Sequence, residues 1–419
     1  MKPGAHREPY RSPTLRIFRY VWDFKLTSQG KLLVGAGLAG GFLGASALDI
    51  PVYPLFLCLF WLGVIATLVN MLYRPRLDVS VTLPERVVAG QAFEAEAVIK
   101  NTGRWTAYDC AAGFLQLPWS MKETGAERYV RTLPAGQTAK TLLRILPKRR
   151  GVYDLPKLRA FTTFPFHLLR SGRTKRSVGA LLVQPSFSPL TEVRMPVSRR
   201  YQPGGIALTS NIGESPEYIG NREFRPGDPI KHIDFRSWAR LAKPAVREYQ
   251  EEYYCRLALV VDTHVPLGRW KGPRGYSDFE SGLSLTASVA DALSRGEYLI
   301  DIFAAGPEVY VFRAGRHTAH LDNILEILAC VDPCRKNPFQ AVNARLAGEL
   351  QGISSLIGIF LDWDEPRCDL MRMAEEAGCE AKALIVRKNP PSKPLDYGGL
   401  RDIQRFTPEA IQSGGVDVV

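Results

Sequence analysis

Two long uncharged runs stand close together near the beginning of this 419-residue chain, and they restrict what it can fold into. They cover residues 32–48 and 52–69, with only three residues between them. Each run approaches the roughly 20 residues that a helix needs to cross a bilayer. A buried hairpin in a soluble core and a signal peptide cleaved near residue 47 are the alternatives. The sequence predicts a two-helix transmembrane hairpin over residues 32–73.

The first run is rich in glycine, which would weaken a helix in water. Gly37 and Gly41, and again Gly40 and Gly44, have the small-xxx-small spacing that lets membrane helices approach closely. We therefore expect the second helix to pack against this face of the first.

Basic residues flank the predicted hairpin on both sides. Residues 1–76 contain nine Lys or Arg against three acidic residues, so half of the chain's net charge of +12 lies here, which argues against nucleic acid as a partner. By the positive-inside rule, both flanks stay in the cytoplasm. The sequence predicts an inner-membrane protein whose basic segment 1–31 and soluble part face the cytoplasm. Residues 14–31 mix aromatic and basic side chains and fit either an interfacial helix on anionic lipid or a plain tether.

Residues 74–190 follow a period of two. Val79, Val81 and Leu83 alternate with polar residues, and turn sequences follow. Short alternating strands at this spacing indicate an antiparallel β-sandwich. One of the predicted strands is residues 151–161. Nothing in this stretch has the pattern of a catalytic site.

After a linker at residues 191–216, the remainder, 217–419, alternates apolar runs with helical patterns. This alternation predicts a doubly wound α/β domain, whose ligands normally lie beyond the carboxyl ends of the strands. The last predicted strand is residues 380–388. Asp262 ends one predicted strand, and Asp362 or Asp364 ends another; Asp262 and Asp362 are the pair that we select. Carboxylate oxygens are ligands that Mg²⁺ prefers, so these two aspartates form a candidate metal site and Mg²⁺ the one candidate cofactor.

A dense mixture of opposed charges occupies residues 221–250, just ahead of the first strand of this domain. Asp228 precedes a proline, which predicts an N-cap and a short helix over residues 230–240. Because the stretch contains both guanidinium and carboxylate groups, it favours bidentate ion pairs between them over a phosphate-binding site. His232 and Asp234 diverge on a helix and no nucleophile stands beside them, so we predict no catalytic residue here.

The same stretch resembles the signature of the domain-of-unknown-function 58 family. That signature runs Arg-Glu-Tyr, two residues, Gly-Asp, then basic-x-Ile-x-Trp and Ala-Arg. The residues that match it are Arg222, Glu223, Gly227, Asp228, Ile233, Asp234, Ala239, Arg240 and Glu248. Phe224 and Phe235 replace the usual Tyr and Trp, and Trp238 stands where a small residue is commoner.

The resemblance covers nearly the whole chain, because members of that family begin with two membrane spans, continue with a β-sandwich and end in a von Willebrand A-like domain. It implies work beside a MoxR-type AAA+ ATPase in the assembly or maturation of other proteins. An A-type metal site would also have Ser-x-Ser after its first Asp, whereas this chain has only Thr263 beside Asp262.

We therefore expect a non-enzymatic inner-membrane adaptor that docks the ATPase or its client through the matching residues. The alternatives are a divalent-metal-dependent ligand-binding domain at Asp262 and Asp362, and a basic nucleic-acid-binding protein. A hydrolase lacks support, because the sequence offers no nucleophile–base pair. Seven cysteines without a Cys-x-x-Cys pair predict reduced, mostly buried thiols.

Overall fold

The computed structural model describes most of the chain. The described residues are 17–18, 20–46, 52–114, 117–125, 128–172, 176–194, 218–225, 228, 230, 233–249, 255–266, 268, 271–272, 275–295, 298–305, 309–313 and 321–419. They divide into two compact units, which lie within residues 1–186, 269–280 and 325–331, and within residues 187–268, 281–324 and 332–419. The first unit includes both the predicted hairpin and the predicted sandwich. The predicted linker lies outside the described residues except for 191–194.

Helices open the first unit. A π-helix, Tyr20–Lys25, precedes α1, Ser28–Ser46, and α2, Val52–Leu72. Among the described residues, one helix is long and apolar enough to cross a membrane by length and composition: α2, over Tyr53–Leu72, with a mean hydropathy of 2.3. The predicted three-residue connection between the runs lies outside the described residues.

Glycines in α1 allow it to approach α2 closely. A Cβ added at Gly41 would lie 3.2 Å from the ring of Phe56, and one at Gly44 would lie 3.8 Å from Tyr53. By contrast, Gly37 has open space around it. Helix α2 therefore packs against the second half of the predicted glycine face, at Gly41 and Gly44.

Side chains at the base of the two helices are hydrogen-bonded to one loop of the sheet region. Thr27 Oγ1 donates to the carbonyl of Leu168 over 3.2 Å. Asn70 Nδ2 donates to the carbonyl of Leu169, also over 3.2 Å. A Cβ added at Gly30 would lie 2.2 Å from the Leu168 oxygen, so only glycine fits this contact. Within the first unit, both helices are therefore hydrogen-bonded to the loop that contains Leu168 and Leu169.

Ten strands of the first unit lie among the described residues. They are β1 Leu77–Thr82, β2 Arg86–Val88, β3 Phe93–Asn101, β4 Ala107–Phe114, β5 Met121–Glu123, β6 Val130–Leu133, β7 Thr138–Pro147, β8 Gly151–Asp154, β9 Leu158–Thr162 and β10 Ala180–Gln184. Their sheets have the orders β1-β3-β7-β5, β6-β4-β9 and β2-β10-β8. One hydrophobic core draws on all three sheets, with Val79, Ile99, Ile145, Leu158 and Val183 buried in it.

The strands of the first unit differ from the predicted sandwich at two places. The predicted strand at 151–161 is two strands, β8 and β9, because Pro156 between them has no N–H for a ladder. The expectation of a purely antiparallel arrangement is wrong for β2 and β10, which pair in parallel from Arg86 opposite Leu182. A pairing between segments so distant in sequence leaves no local pattern.

The second region, from residue 218 onward, mixes strands and helices. Its strands are β11 Tyr218–Glu223, β12 Ala245–Tyr249, β13 Cys255–Val261, β14 Tyr298–Ala305, β15 Val309–Arg313, β16 Ser355–Phe360, β17 Glu380–Val386 and β18 Asp402–Phe406. Its helices are α3 Phe235–Leu241, α4 Ser277–Ser294, α5 Leu321–Cys330, α6 Phe339–Ala347, a 3-10 turn Leu350–Gly352, α7 Glu365–Glu376 and α8 Pro408–Gln412. The predicted mixed α/β content is confirmed.

Six of these strands form one sheet in the order β15-β14-β13-β16-β17-β18. All pair in parallel except β15, which is antiparallel to β14. The chain leaves β13 for β14 on one side and later returns to β16 on the other. The carboxyl ends of β13 and β16 therefore form a topological switch point.

The prediction that residues 380–388 form the last strand is wrong. β18 follows and pairs in parallel with β17, with Asp402 opposite Lys382. As an edge strand, β18 is only partly buried and has a mixed Asp-Ile-Gln-Arg-Phe sequence. It therefore lacks the continuous apolar run that reveals a buried parallel strand.

Candidate functional site

The signature residues come together on one small antiparallel hairpin. β11 pairs with β12 so that Asn221 lies opposite Arg247 and Arg222 lies opposite Val246. Helix α3 lies between the two strands in sequence. Ile233, just ahead of it, forms a β-bridge with Val246 and is partly buried. The hairpin therefore holds both ends of the signature in register.

Arg222 and Asp228 form a bidentate ion pair. The two guanidinium nitrogens of Arg222 donate to the two oxygens of Asp228 over 2.7 and 2.8 Å. The backbone N–H of Arg225 donates to the same carboxylate over 2.8 Å. These hydrogen bonds lower the pKa of Asp228 to about 2, and the one from Arg222 has the largest effect. This carboxylate is charged at neutral pH and fully engaged.

Asp234 is the N-cap of α3. Its Oδ1 accepts from the backbone N–H groups of Arg236 and Ser237, and its Oδ2 accepts from Asn221 Nδ2 over 2.8 Å. The hydrogen bond from Asn221 is the largest cause that lowers the pKa of Asp234 to about 2. The predicted cap at Asp228 is thus displaced, because that residue binds Arg222 and the described helix begins at Phe235.

The remaining signature residues differ in role. Glu223 forms an ion pair with Lys243 over 2.8 Å, and both side chains are exposed. Arg240 is exposed on α3. The backbone of Glu248 lies opposite Gly220, while its side chain and the whole of Gly227 lie outside the described residues. Sequence reasoning missed Asn221 and Lys243, whose contacts depend on the strand register.

An apolar patch is exposed on and beside α3. We call it the α3 patch, and its members, with their exposed fractions, are Ile230 (74%), Phe235 (65%), Trp238 (38%) and Leu241 (55%). The rings of Phe235 and Trp238 stack with centroids 6.0 Å apart. Arg236 and Arg240 are exposed on the same helix, and neither has an ion pair among the described residues. Contiguous exposed apolar residues with a charged rim are typical of binding surfaces.

The switch point holds a second cluster, centred on Asp262. This residue is 2% exposed and accepts from the backbone N–H groups of His264 and Leu361 over 2.8 and 2.9 Å. Arg367 of α7, 1% exposed, donates to it twice, over 2.9 and 2.6 Å, and to Asp364 over 2.5 Å. The cation at Asp262 is therefore a guanidinium group of the chain itself.

Asp362 has a different set of partners. It accepts from the backbone N–H and the hydroxyl of Ser392 over 2.8 and 2.7 Å and forms an ion pair with Arg387. Burial acts to raise the pKa of Asp362, but Ser392 and Arg387 hold it below its ordinary value. The two predicted metal ligands are thus each neutralised separately.

These contacts bear on the candidate Mg²⁺ site. Among the described residues, no group of three or more His, Cys, Asp or Glu could hold a metal ion. Thr263 is fully buried, and its hydroxyl makes no hydrogen bond within the described part of the chain. The donor set does not fit Mg²⁺ as it stands, because a guanidinium already occupies each carboxylate. Binding of a metal at Asp262 and Asp362 stays a prediction.

Comparison with protein families gives one match. Residues 220–393 match the family described as "Protein of unknown function DUF58". The matched region contains the signature hairpin and most of the six-stranded sheet. It supports the family resemblance that the signature residues indicated. No curated protein matches the chain.

Two solved structures that match the chain show weak likenesses to it. The CARDB domain of a Pyrococcus furiosus protein is 15% identical, with 26% of this chain and 94% of that chain covered and a TM-score of 0.18. Native alpha-2-macroglobulin from Escherichia coli, from domain MG7 to the C-terminus, is 12% identical, with 27% of this chain and 17% of that chain covered and a TM-score of 0.21. Similarities this low carry no functional conclusion.

Proposed function

We propose that this protein is a non-enzymatic adaptor of the inner membrane. A two-span hairpin anchors it, the β-sandwich and the von Willebrand A-like α/β domain lie in the cytoplasm, and the signature hairpin docks a MoxR-type AAA+ ATPase for the assembly or maturation of other proteins.

The observation that carries this proposal is the way charge is distributed on the signature hairpin. Asp228 binds Arg222, Asp234 caps α3, and Glu223 pairs with Lys243. These carboxylates therefore stabilise the hairpin itself. Among the described residues of the hairpin, the exposed large apolar side chains are those of the α3 patch, and Arg236 and Arg240 are exposed beside them.

Such a surface fits a protein partner with an apolar pocket rimmed by carboxylates. Trp and Arg are the residues most enriched among energetic hot spots, and the stacked rings of Phe235 and Trp238 offer a rigid anchor. Charge complementarity with Arg236 and Arg240 would speed the encounter and fix its orientation. The choice of a MoxR-type ATPase as the occupant rests on the family resemblance, supported by the match over residues 220–393.

The anchor is supported by α2, which is long and apolar enough to cross a membrane, and by the close glycine packing of α1 on it. Lys and Arg on both flanks favour a cytoplasmic position for both ends. A protease added outside intact spheroplasts should therefore leave the carboxy-terminal part uncut. Digestion of that part under those conditions would overturn the topology.

The docking role can be tested with paired surface variants of the full chain. Trp238→Ser and Arg240→Glu should each reduce co-purification of the ATPase from detergent-solubilised membranes by about tenfold or more, as expected for hot-spot residues. Trp105→Ser is the matched control, because Trp105 is 83% exposed on the sandwich. Equal recovery of the ATPase with all three variants would reject the docking surface.

A second pair of variants tests whether the ion pair of the hairpin is needed. Arg222→Ala and Asp228→Ala each remove one half of the bidentate contact. If the hairpin presents the α3 patch, both variants should lose the ATPase while their yield and solubility remain unchanged. Unchanged partners with either variant would show that docking does not depend on this hairpin.

A further inference from the structure

Two loops of the sheet region lie against the residues that follow α2. The hydroxyl of Tyr73, the first residue after α2, donates to the carbonyl of Thr106 over 3.0 Å and accepts from the backbone N–H of Tyr108 over 3.2 Å. The backbone N–H of Thr102 donates to the carbonyl of Arg76 over 2.8 Å. These contacts hold the loop that joins β3 to β4 beside the end of α2.

The second loop, residues 163–169, accepts hydrogen bonds from side chains at the base of both helices. The ring of Phe164 in this loop contacts the rings of Tyr73 and Tyr108, with centroids 5.1 and 5.4 Å apart. Because Tyr73 and Tyr108 also share a hydrogen bond, the three rings form one aromatic cluster. The two loops therefore adjoin each other at the end of α2.

Aromatic and cationic side chains are exposed on and beside these two loops. We call this set the hairpin-side face, and its members are Trp105 (83% exposed), Phe166 (42%), Tyr108 (39%) and the exposed Arg74, Arg76 and Arg104. Trp and Tyr are enriched where a membrane meets water, and Lys and Arg mark its cytoplasmic side. Arginines close to a bilayer are also attracted to anionic lipid. The face therefore has the composition of a surface that contacts lipid headgroups.

The length of α2 indicates that lipid covers this face. Its apolar span, Tyr53–Leu72, has 20 residues. At 1.5 Å per residue it is about 30 Å long, the thickness of the hydrocarbon core of a bilayer. The apolar surface continues to the last turn, where Met71 is 66% exposed and Leu72 is 85% exposed. Tyr73 then enters the headgroup layer, about 5–8 Å thick on each side, and the two loops that contact Tyr73 lie at that layer.

We propose that the hairpin-side face lies in the headgroup layer of the bilayer that α2 crosses. Trp105 and Phe166 enter this layer, and the arginines of the face lie beside the lipid phosphates. The inference rests on the membrane anchor of the proposed function. The sandwich is then bound to the membrane through two loops as well as through its covalent link to α2. The ATPase pull-down is made in detergent, without a bilayer, so Trp105→Ser remains its control.

The opposite end of the same sheet supplies a matched control. Lys100 pairs with Thr138 at the end that leads into the first loop, whereas Met121 pairs with Pro147 at the other end of β7. At about 3.4 Å per residue, the nine steps along β7 separate these ends by about 30 Å. Trp119, just ahead of β5, is 45% exposed at the far end. Lipid that reaches Trp105 should therefore not reach Trp119.

The test uses the full chain in vesicles of phosphatidylglycerol and phosphatidylcholine with brominated acyl chains, because bromine quenches the fluorescence of a tryptophan that it contacts. One set of vesicles carries bromine next to the headgroup, and the other carries it near the bilayer centre. The emission of one tryptophan is the difference between the wild type and its Trp→Phe variant. Trp61→Phe, Trp105→Phe and Trp119→Phe all change exposed side chains, so each variant should fold.

Trp105 should lose most of its emission when bromine lies next to the headgroup and keep it when bromine lies at the bilayer centre. Trp61, midway along α2, should show the opposite pattern. Trp119 should keep its emission in both sets of vesicles. Phe166→Trp, added to Trp105→Phe, should restore an emission that bromine next to the headgroup quenches.

Trp61 separates failure of the face from failure of the anchor. If Trp61 is quenched at the bilayer centre but Trp105 keeps its emission in both sets of vesicles, the lipid contact is rejected, the anchor stands, and the face is assigned to a protein partner. Equal quenching of Trp105 and Trp119 next to the headgroup also overturns the inference, because the whole sheet would then lie along the bilayer. If Trp61 keeps its emission in both, the anchor is rejected and the lipid contact with it.

Discussion

Arg367→Met is expected to show how strongly the switch point depends on its buried ion pair. The substitution removes two hydrogen bonds to Asp262, of 2.9 and 2.6 Å, and one of 2.5 Å to Asp364. The buried carboxylate of Asp262 then keeps the backbone N–H groups of His264 and Leu361, but loses its cation. A buried charge without its counter-ion is far more costly than an exposed one.

Removal of one partner from a buried ion pair lowers the free energy of unfolding by about 3–5 kcal/mol. In a unit of about 200 residues, each kcal/mol changes Tm by about 2–4 °C, so Arg367→Met should lower Tm by roughly 6–20 °C. Thermal unfolding of the full chain in detergent, followed by circular dichroism, measures this shift.

The matched control is Arg372→Met, five residues further along α7. Arg372 pairs with Asp369 at 3.3 Å, and both side chains are about half exposed. An exposed pair of this kind contributes less than about 1 kcal/mol, so the control should unfold close to the wild type. Equal Tm values for the two variants would refute the reasoning. A rise in wild-type Tm with millimolar Mg²⁺ that Asp262→Ala abolishes would instead establish the metal-binding alternative.

The remaining predictions concern the helical base, the hairpin and the thiols. Gly30→Ala should destabilise the full chain by about 1–3 kcal/mol because its Cβ meets a carbonyl oxygen, whereas Gly35→Ala, with nothing within 4 Å, should not, and equal Tm values would contradict this. The arginine that binds Asp228 lowers its folded pKa from 3.8 to about 2, so its stabilisation is complete above about pH 4 and is lost as the pH falls toward 2. The Tm advantage of wild type over Asp228→Asn should therefore be smaller at pH 2.5 than at pH 5, and an unchanged advantage would count against the pair. Burial raises the pKa of Cys110 to about 12, so iodoacetamide at pH 8 should label Cys110 at least about tenfold more slowly than the exposed Cys330. Added denaturant should remove this difference. Equal labelling of the two thiols in the native protein would show that Cys110 is accessible.

Elements with a local cause were predictable from the sequence. The apolar run of α2 predicts its helix, and the continuous apolar sequence of β16 predicts a strand buried on both faces, as all six of its residues are. β18 was missed because an edge strand half in water needs no apolar run. The parallel pair β2–β10 was missed because segments about a hundred residues apart carry no shared local signal.

Candidate-site residues follow the same division. The balance of charge in the signature predicted bidentate pairing, and Arg222 and Asp228, six residues apart, provide it. Asp234 was predicted as a docking residue, but its second carboxylate oxygen accepts a hydrogen bond from Asn221, which reaches it through the register of β11 and β12. Nothing in the sequence around Arg367 indicated its role, because its partner Asp262 lies 105 residues away. Side chains whose chemistry depends on the tertiary fold were therefore outside the reach of sequence.

The contacts at the base of the hairpin also set an order of events during biosynthesis. Thr27 lies 141 residues before its partner Leu168, and Asn70 lies 99 residues before Leu169. At about 5–20 residues per second, the ribosome needs roughly 7–28 s to synthesise the loop that holds Thr27. On the proposed topology, the two helices therefore enter the lipid before the loop that they contact has been made, and the sheets form afterwards beside an anchor already in place. In a variant that slows insertion, the newly made sheets would lack their contacts with Thr27 and Asn70. The loop at Leu168 and Leu169 would then stay exposed to chaperones and proteases.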